Sequence, residues 1–273
     1  MKVIYRKDLS LGDRMKLYEQ LSQKCDGMIN HDPVIIRLDG QAFHTWTRKM
    51  KLDRPFDKSF IGCMQLTLLH LCENIPSCIM GYTQSDEISI CLRNDMSDRT
   101  MPWFENRLQK LASISASMAT YKFNHEASTF FSAPLPAYFD ARTVFLPTLD
   151  EVVNYFIWRQ NDCEKNSVSS VAQTKFSEKE LYKKNTEDKK QMLREIGIDW
   201  YKLPTPERLG SFCNRRAEKG EYNGKEFIRN RFFIDENIPW FTLDKDYITK
   251  AYKGGKDEQS SSQSAGRNGG QTA

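Results

Sequence analysis

GYTQSDEISI, residues 81–90, sets two adjacent acids, Asp86 and Glu87, between two β-forming runs. A strand pattern that breaks for a polar pair and resumes at once is that of a tight hairpin. The stretch to set beside it is PVIIRLDGQAFH, residues 33–44, where Val34-Ile35-Ile36 runs into Arg37-Leu38-Asp39-Gly40. Between them, over residues 57–74, Phe60, Ile61, Met64, Leu68, Leu71 and Cys72 share one broad helical face. A hairpin directly after a strand–helix unit implies a mixed or antiparallel sheet. The expected class is therefore α+β with helices on one face, and not a doubly wound α/β sheet.

Outward from this unit, SLGDRMKLYEQL predicts a helix over 9–30, with Ser10 and Asp13 as its start signal. Residues 39–56 read as an irregular segment rich in aromatics and bases. A helix is expected over 102–123, with Pro102 near its first turn and a small-residue middle, ASISASMAT, that lets it lie close to a sheet. FDARTVFLP, 139–147, reads as a strand. Thr148 and Glu151 form a T-x-x-E box opening a helix over 149–162, and another helix runs through VAQTKFS. Ser177 and Glu180 predict a cap before a helix at 179–196. The chain to about 252 is mixed, and the low-complexity residues 254–273 are expected to be a disordered tail.

Of the 273 residues, 39% are hydrophobic and 28% charged, which argues for a folded globular chain and against disorder. No apolar run is long enough to span a membrane. MKVIYRKDLS lacks a signal-peptide core, so the expected compartment is the cytoplasm. Seven scattered cysteines without a CxxC pair argue against a zinc site or disulfide framework. The net charge of +4 is mild, but bases gather from Lys165 through Arg194, and again at Arg208, Arg215, Arg216, Arg229 and Arg231. Interspersed acids leave open both a solvated helix face and a surface that tracks phosphates.

If Asp39 ends the first strand and Asp86 stands at a neighbouring hairpin, two carboxylates converge at one edge of the sheet. Hard oxygen ligands suit Mg²⁺, which takes one or two carboxylates plus substrate phosphates and water. Gly40 lets the backbone approach closely, and its carbonyl is a further candidate ligand. Two metals held this way activate a hydroxyl and neutralise a polyphosphate leaving group. D-G and S-D-E are also ordinary turn chemistry, so the residues alone leave both readings open.

Three separated blocks carry a resemblance: RLDGQAFHTWTR (37–48), GYTQSDEISI (81–90) and WRQNDCEKNS (158–167). In this order and spacing they resemble the tRNA-histidine guanylyltransferase superfamily, whose members are 3′–5′ RNA polymerases. SLGDRMK, PVIIRLDG, LDRPFD, SASMATYKFN and NSVSSVAQ resemble its bacterial and phage guanylyltransferase-like branch. The resemblance implies a palm-type, ferredoxin-like catalytic domain over 1–148. It further implies a mainly helical extension over 149–252, serving RNA binding or oligomerisation, before the tail at 253–273.

By the same resemblance, Asp39 and Asp86 hold two Mg²⁺ ions with help from the Gly40 carbonyl, and Glu87 supports this catalytic acidic cluster. Asp39, Gly40, Gln41, Ala42, Phe43 and His44 cradle the triphosphate of GTP, ATP or another NTP. Ser85, Arg54 and Asn166 join the nucleotide site. The implied partners are the 5′ end and acceptor stem of tRNA, and the implied assembly is a homotetramer.

One departure bears on the reaction. Relatives that add the extra G to tRNA-His carry His-Ile-Asn-Asn where this chain has Glu164-Lys165-Asn166-Ser167. That favours template-dependent repair of a 5′-truncated tRNA over non-templated G addition. A palm-type nucleotide cyclase and a non-catalytic RNA-binding protein remain as rivals; the basic C-terminal half counts against the first, and the retained acids against the second. Phe43 and Trp46 are candidates either for stacking on a base or for the core. Arg159 is a candidate for tRNA or phosphate contact, or for a surface salt bridge. Arg208, Arg215 and Arg216 are candidates for tracking the acceptor stem.

Overall fold

The computed structural model describes residues 8–22, 31–95, 101–222 and 225–254. A six-stranded antiparallel sheet runs in the order β4-β1-β3-β2-β5-β6. Its strands are β1 (Val34–Gly40), β2 (Cys78–Gln84), β3 (Glu87–Leu92), β4 (Phe139–Phe145), β5 (Ser211–Tyr222) and β6 (Lys225–Asp235). The helices begin with α1 (Leu11–Ser22), α2 (Phe43–Lys49), α3 (Lys58–Asn74) and α4 (Leu108–Phe130). They continue with α5 (Leu149–Gln173), α6 (Glu178–Leu181), α7 (Thr186–Glu195), α8 (Thr205–Leu209) and α9 (Lys245–Lys253).

The α+β antiparallel class is as expected, but helices cover both faces of the sheet rather than one. The alternation of side chains along each strand decides which helix meets which residue. Val34, Ile36 and Leu38 of β1 and Ile88, Ile90 and Leu92 of β3 pack with α3 and α4. Ile35, Tyr82, Cys91 and Val144 face the other way, into a core built with α5, α1 and α9. Strands buried on both faces read as continuous apolar runs, which is why VIIRL and EISICL do not show where their cover lies.

Close approach is set by small residues. A Cβ on Gly81 would lie 2.5 Å from Leu68 Cδ1, so α3 sits directly on β2 there. On α4, Ser115 and Ala119 form part of the buried face, as the small-residue middle predicted.

Several boundaries differ from expectation. α1 ends at Ser22, and residues 23–30 of the expected helix lie outside the described residues. Residues 43–49, expected to be irregular, form α2. Pro102 caps a short 3₁₀ turn at Trp103–Asn106, and α4 starts only at Leu108 and runs on to Phe130. The helices expected over 149–162 and through VAQTKFS are the single helix α5, which ends at Gln173 and at 1.5 Å per residue is about 37 Å long. Its inward face includes Arg159, Gln160 and Ser167, and these buried polar residues hid the apolar period.

The Ser177–Glu180 capping box is present but opens only the short α6. The backbone turns at Lys183 (φ 59°), and α7 starts anew with its own Asn185–Asp188 box. The extension is not helical throughout: β5 joins the sheet beside β2 and forms a long hairpin with β6. Of the expected tail, Lys253 ends α9 and Gly254 caps it, while 255–273 lie outside the described residues. Among the described residues, no helix is long and apolar enough to cross a membrane.

Candidate active site

The hairpin opens the site. β2 ends at Gln84 and β3 starts at Glu87, so Ser85 and Asp86 form a two-residue turn, with Ser85 at φ 49° as such turns require. The Ser85 hydroxyl donates to Asp86 Oδ1 at 3.0 Å. The end of β1 is tied to this turn: the Gly40 amide donates to the Asp86 carbonyl at 3.0 Å, and Asp39 stands opposite Glu87 in the β1–β3 register. Asp39 and Asp86 are thus neighbours where the adjacent central strands β1 and β3 meet at one end of the sheet.

Among the described residues, no lysine, arginine or histidine makes an ion pair with either carboxylate. Burial, and secondarily the charge of Asp39, push the Asp86 carboxyl above the usual carboxylate range. Two half-buried like charges without a cation fit a divalent ion. Among the described residues, no group of three or more His, Cys, Asp and Glu side chains forms a metal site. Asp39 and Asp86 could hold a divalent ion only together with main chain, water and substrate phosphate, the kind of donor set Mg²⁺ accepts.

Glu87 plays a different part from its neighbour. It is buried, and both its carboxylate oxygens accept from Arg159, Nε and Nη2, each at 2.7 Å. Burial opposes the charge on Arg159, but Glu87, Tyr155 and Asp162 together outweigh it, and the guanidinium titrates above its ordinary range. Neither the tRNA-contact nor the surface-salt-bridge reading of Arg159 holds, because its side chain is only 7% exposed.

A cavity of about 690 Å³ lies beside the turn, between α2, the 52–57 loop, the second half of α5 and α8. Of the residues expected in the nucleotide site, Phe43, His44, Arg54, Ser85, Asp86 and Asn166 line it. Asp39 and Gly40 stand at the turn beside it. Gln41 is exposed, and its amide is engaged by the Tyr138 carbonyl. Ala42, also exposed, takes the left-handed conformation that starts α2. Phe43 reaches the cavity wall only as part of the core: it packs on Trp46, Phe60, Phe123 and Phe139, and Trp46 Nε1 donates to the Leu135 carbonyl. Stacking on a base is therefore not the role of either ring.

Sequence reasoning missed Asp53, Asp57, Cys163, Ser170 and Glu207 on the cavity wall. Asp57 caps α3 through the Phe60 amide. Glu207 comes from the part of the chain left unassigned. The position of Asn166 and Ser170 one turn apart on α5 was the available signal for Ser170.

The residues at the departure from the His-Ile-Asn-Asn pattern are partly committed to packing. Glu164 pairs with the buried Lys190 of α7. The Ser167 hydroxyl donates to the Glu207 carbonyl and accepts from Trp200 Nε1. Of the four, Asn166 and Ser167 line the cavity. The candidate acceptor-stem arginines are not gathered into one patch: Arg208 donates to the Leu203 carbonyl and lies over the Trp200 ring, while Arg216 pairs with Glu218 on β5.

A family model described as "Thg1: tRNAHis guanylyltransferase" matches residues 12–147. A "Probable tRNA(His) guanylyltransferase" of Dictyostelium discoideum is 27% identical over 234 residues, covering 80% of this chain and 90% of its own. A "tRNA(His) guanylyltransferase" of Debaryomyces hansenii is 30% identical over 184 residues, covering 61% and 67%. Among solved structures, a "Bacterial tRNA(HIS) Guanylyltransferase (Thg1)-Like Protein in complex with ATP" superposes with TM-score 0.74 at 39% identity, covering 89% of this chain and 99% of that one. The enzyme from Saccharomyces cerevisiae, at 22% identity, shares the fold with TM-score 0.60 over 74% of this chain and 90% of its own. The antiparallel sheet, the acid-bearing hairpin and these matches place this chain in the tRNA(His) guanylyltransferase (Thg1) family.

Proposed function

We propose that the protein is a Mg²⁺-dependent nucleotidyltransferase that adds nucleotides in the 3′–5′ direction to the 5′ end of tRNA, repairing truncated ends against a template. The observation that carries this reading is the pair Asp39 and Asp86, carboxylates without a basic partner among the described residues, beside a nucleotide-sized cavity. The solved relatives in complex with ATP and with GTP support a triphosphate as the occupant.

Two Mg²⁺ ions bound by Asp39, Asp86 and the Gly40 carbonyl would supply hydroxyl activation and charge neutralisation. His44, Arg54 and Ser85 face the same cavity and suit phosphate oxygens. Asn166 offers an amide donor and acceptor from the α5 side. The 3′-OH of the incoming nucleotide attacks the activated 5′ phosphate of the RNA. A P–O bond forms, and the bond to the leaving pyrophosphate, or to AMP where the end is adenylylated, breaks. No side-chain nucleophile takes part. The substrate's 5′ end and acceptor stem, and a homotetrameric assembly, belong to this reading.

A second reading, addition of one G to tRNA-His, has the names of the curated relatives in its favour. The commitment of Glu164 and Ser167 to packing favours the templated reaction. Truncated tRNAs that differ only in the acceptor-stem nucleotide facing the gap, supplied with all four NTPs, separate the two. Templated repair inserts the complement in each case. Insertion of G whatever the opposing nucleotide would overturn it.

A further inference from the structure

Four polar groups form one chain from the acidic turn to the wall of the cavity. Glu87 follows Asp86 directly and receives Nε and Nη2 of Arg159 at 2.7 Å each. The same Nη2 donates to Asp162 Oδ2 at 2.8 Å, one turn further along α5. Asp162 Oδ2 accepts from Asn166 Nδ2 at 3.4 Å, and Asn166 lines the cavity. Arg159 is itself clamped, with its guanidinium 4.4 Å from the Trp158 ring centroid and its side chain 7% exposed.

This geometry does two things a lone ion pair does not. A bidentate fork fixes the plane of the Glu87 carboxylate, and with it the strand end that carries Asp86. It also occupies the third acid of the turn, so Glu87 does not compete with Asp39 and Asp86 for a cation. We infer that Arg159 is a positioning residue for the proposed reaction: it holds Glu87 out of the metal site and locks the acidic turn and Asn166 in register across the cavity. The inference rests on the metal reading given above. Lysine cannot replace the fork, because an ammonium is a point charge without bidentate geometry.

The test uses the full-length protein, with Mn²⁺ as the metal probe and a non-hydrolysable nucleoside triphosphate, read by electron paramagnetic resonance. Wild type is compared with Arg159→Lys and with the charge-balanced pair Glu87→Gln/Arg159→Met, which removes both buried charges together. Asp86→Ala is the control for the site itself. Partners that orient metal ligands typically contribute about 10–100-fold to affinity. A loss of that size in both variants, with melting temperatures showing that they remain folded, is the expected result. If the balanced pair is folded and binds Mn²⁺ as wild type does, Arg159 is merely structural and the inference falls while the metal reading stands. If wild type and Asp86→Ala bind Mn²⁺ equally weakly, the metal reading fails and takes this inference with it.

Discussion

Gly40 offers a test in which a single methyl group reports on the site. A Cβ built on Gly40 meets the Phe43 ring at 2.4, 2.5 and 2.8 Å, inside any allowed contact. The ring has nowhere to go: Phe43 is 2% exposed, with the rings of Phe139, Phe123 and Trp46 centred 5.0, 5.1 and 5.7 Å away. In Gly40→Ala the backbone of 39–40 must therefore move. Overpacking of this kind costs about 1–3 kcal/mol. For a chain of this size that lowers the melting temperature by about 2–12 °C.

The same movement shifts Asp39 against Asp86 and breaks the alignment of the Gly40 amide with the Asp86 carbonyl. A misplacement on the order of 1 Å at reacting groups costs about 10²-fold in rate. The assay is calorimetry together with single-turnover 5′ addition, on Gly40→Ala, Phe43→Leu and the double variant. Shrinking the ring relieves the clash, so the double variant must be more stable than the sum of the singles by more than about 0.5 kcal/mol, the usual margin for independent sites. Additivity would show that Phe43 is not what keeps position 40 a glycine, and the reasoning would be refuted.

Other consequences are equally direct. Asp86 is raised in the folded state by burial and then by Asp39, so its contribution to stability is present below the unfolded carboxylate pKa and is lost as pH rises through the folded one. With divalent ions chelated, Asp86→Asn therefore melts higher than wild type at pH 7, and the gain shrinks on acidification; thermal melts against pH check this. Mg²⁺ with a nucleotide raises the melting temperature of wild type and leaves that of Asp86→Asn unchanged, as linkage to binding requires. Lys190→Ala strands the partly buried Glu164 and costs about 3 kcal/mol, the low end of the range for broken buried pairs, by urea unfolding. Burial pushes the Cys63 and Cys163 thiols up to about 12, so iodoacetamide at pH 8 leaves both unlabelled in the native protein although Cys163 lines the cavity; peptide mass spectrometry reads it.

What the sequence made legible follows from where its signals were local. The hairpin at 84–87 and the strand ending at Asp39–Gly40 are short-range patterns, and the sheet brings them together as read. The sequence points to Glu87 as support for the acidic cluster, but its bond to Arg159 on α5 is not legible there, because no local pattern couples strand to helix. Phe43 and Trp46 read as possible base platforms because aromatics beside a strand end look the same in a core. The β5–β6 hairpin was missed because, of β5, only Ser211, Phe212 and Cys213 are fully buried and the charged remainder shows no apolar alternation. Asn223-Gly224 between the two strands was the overlooked signal, a dipeptide strongly favoured in hairpin turns. α5 was divided at 162 because its inward face carries buried polar residues that knit distant segments, such as Gln160, which binds the Pro239 carbonyl and the Phe241 amide.

The most direct measurement is 5′ extension of a tRNA lacking its first nucleotide, with Mg²⁺ and all four NTPs, by wild type, Asp39→Ala and Asp86→Ala. The 5′ end is supplied both as a triphosphate and as a monophosphate with ATP. The account predicts full-length product that stops at the end of the template with wild type, and none with either substitution. Undiminished extension by Asp86→Ala, or no extension by wild type from either end, would contradict it.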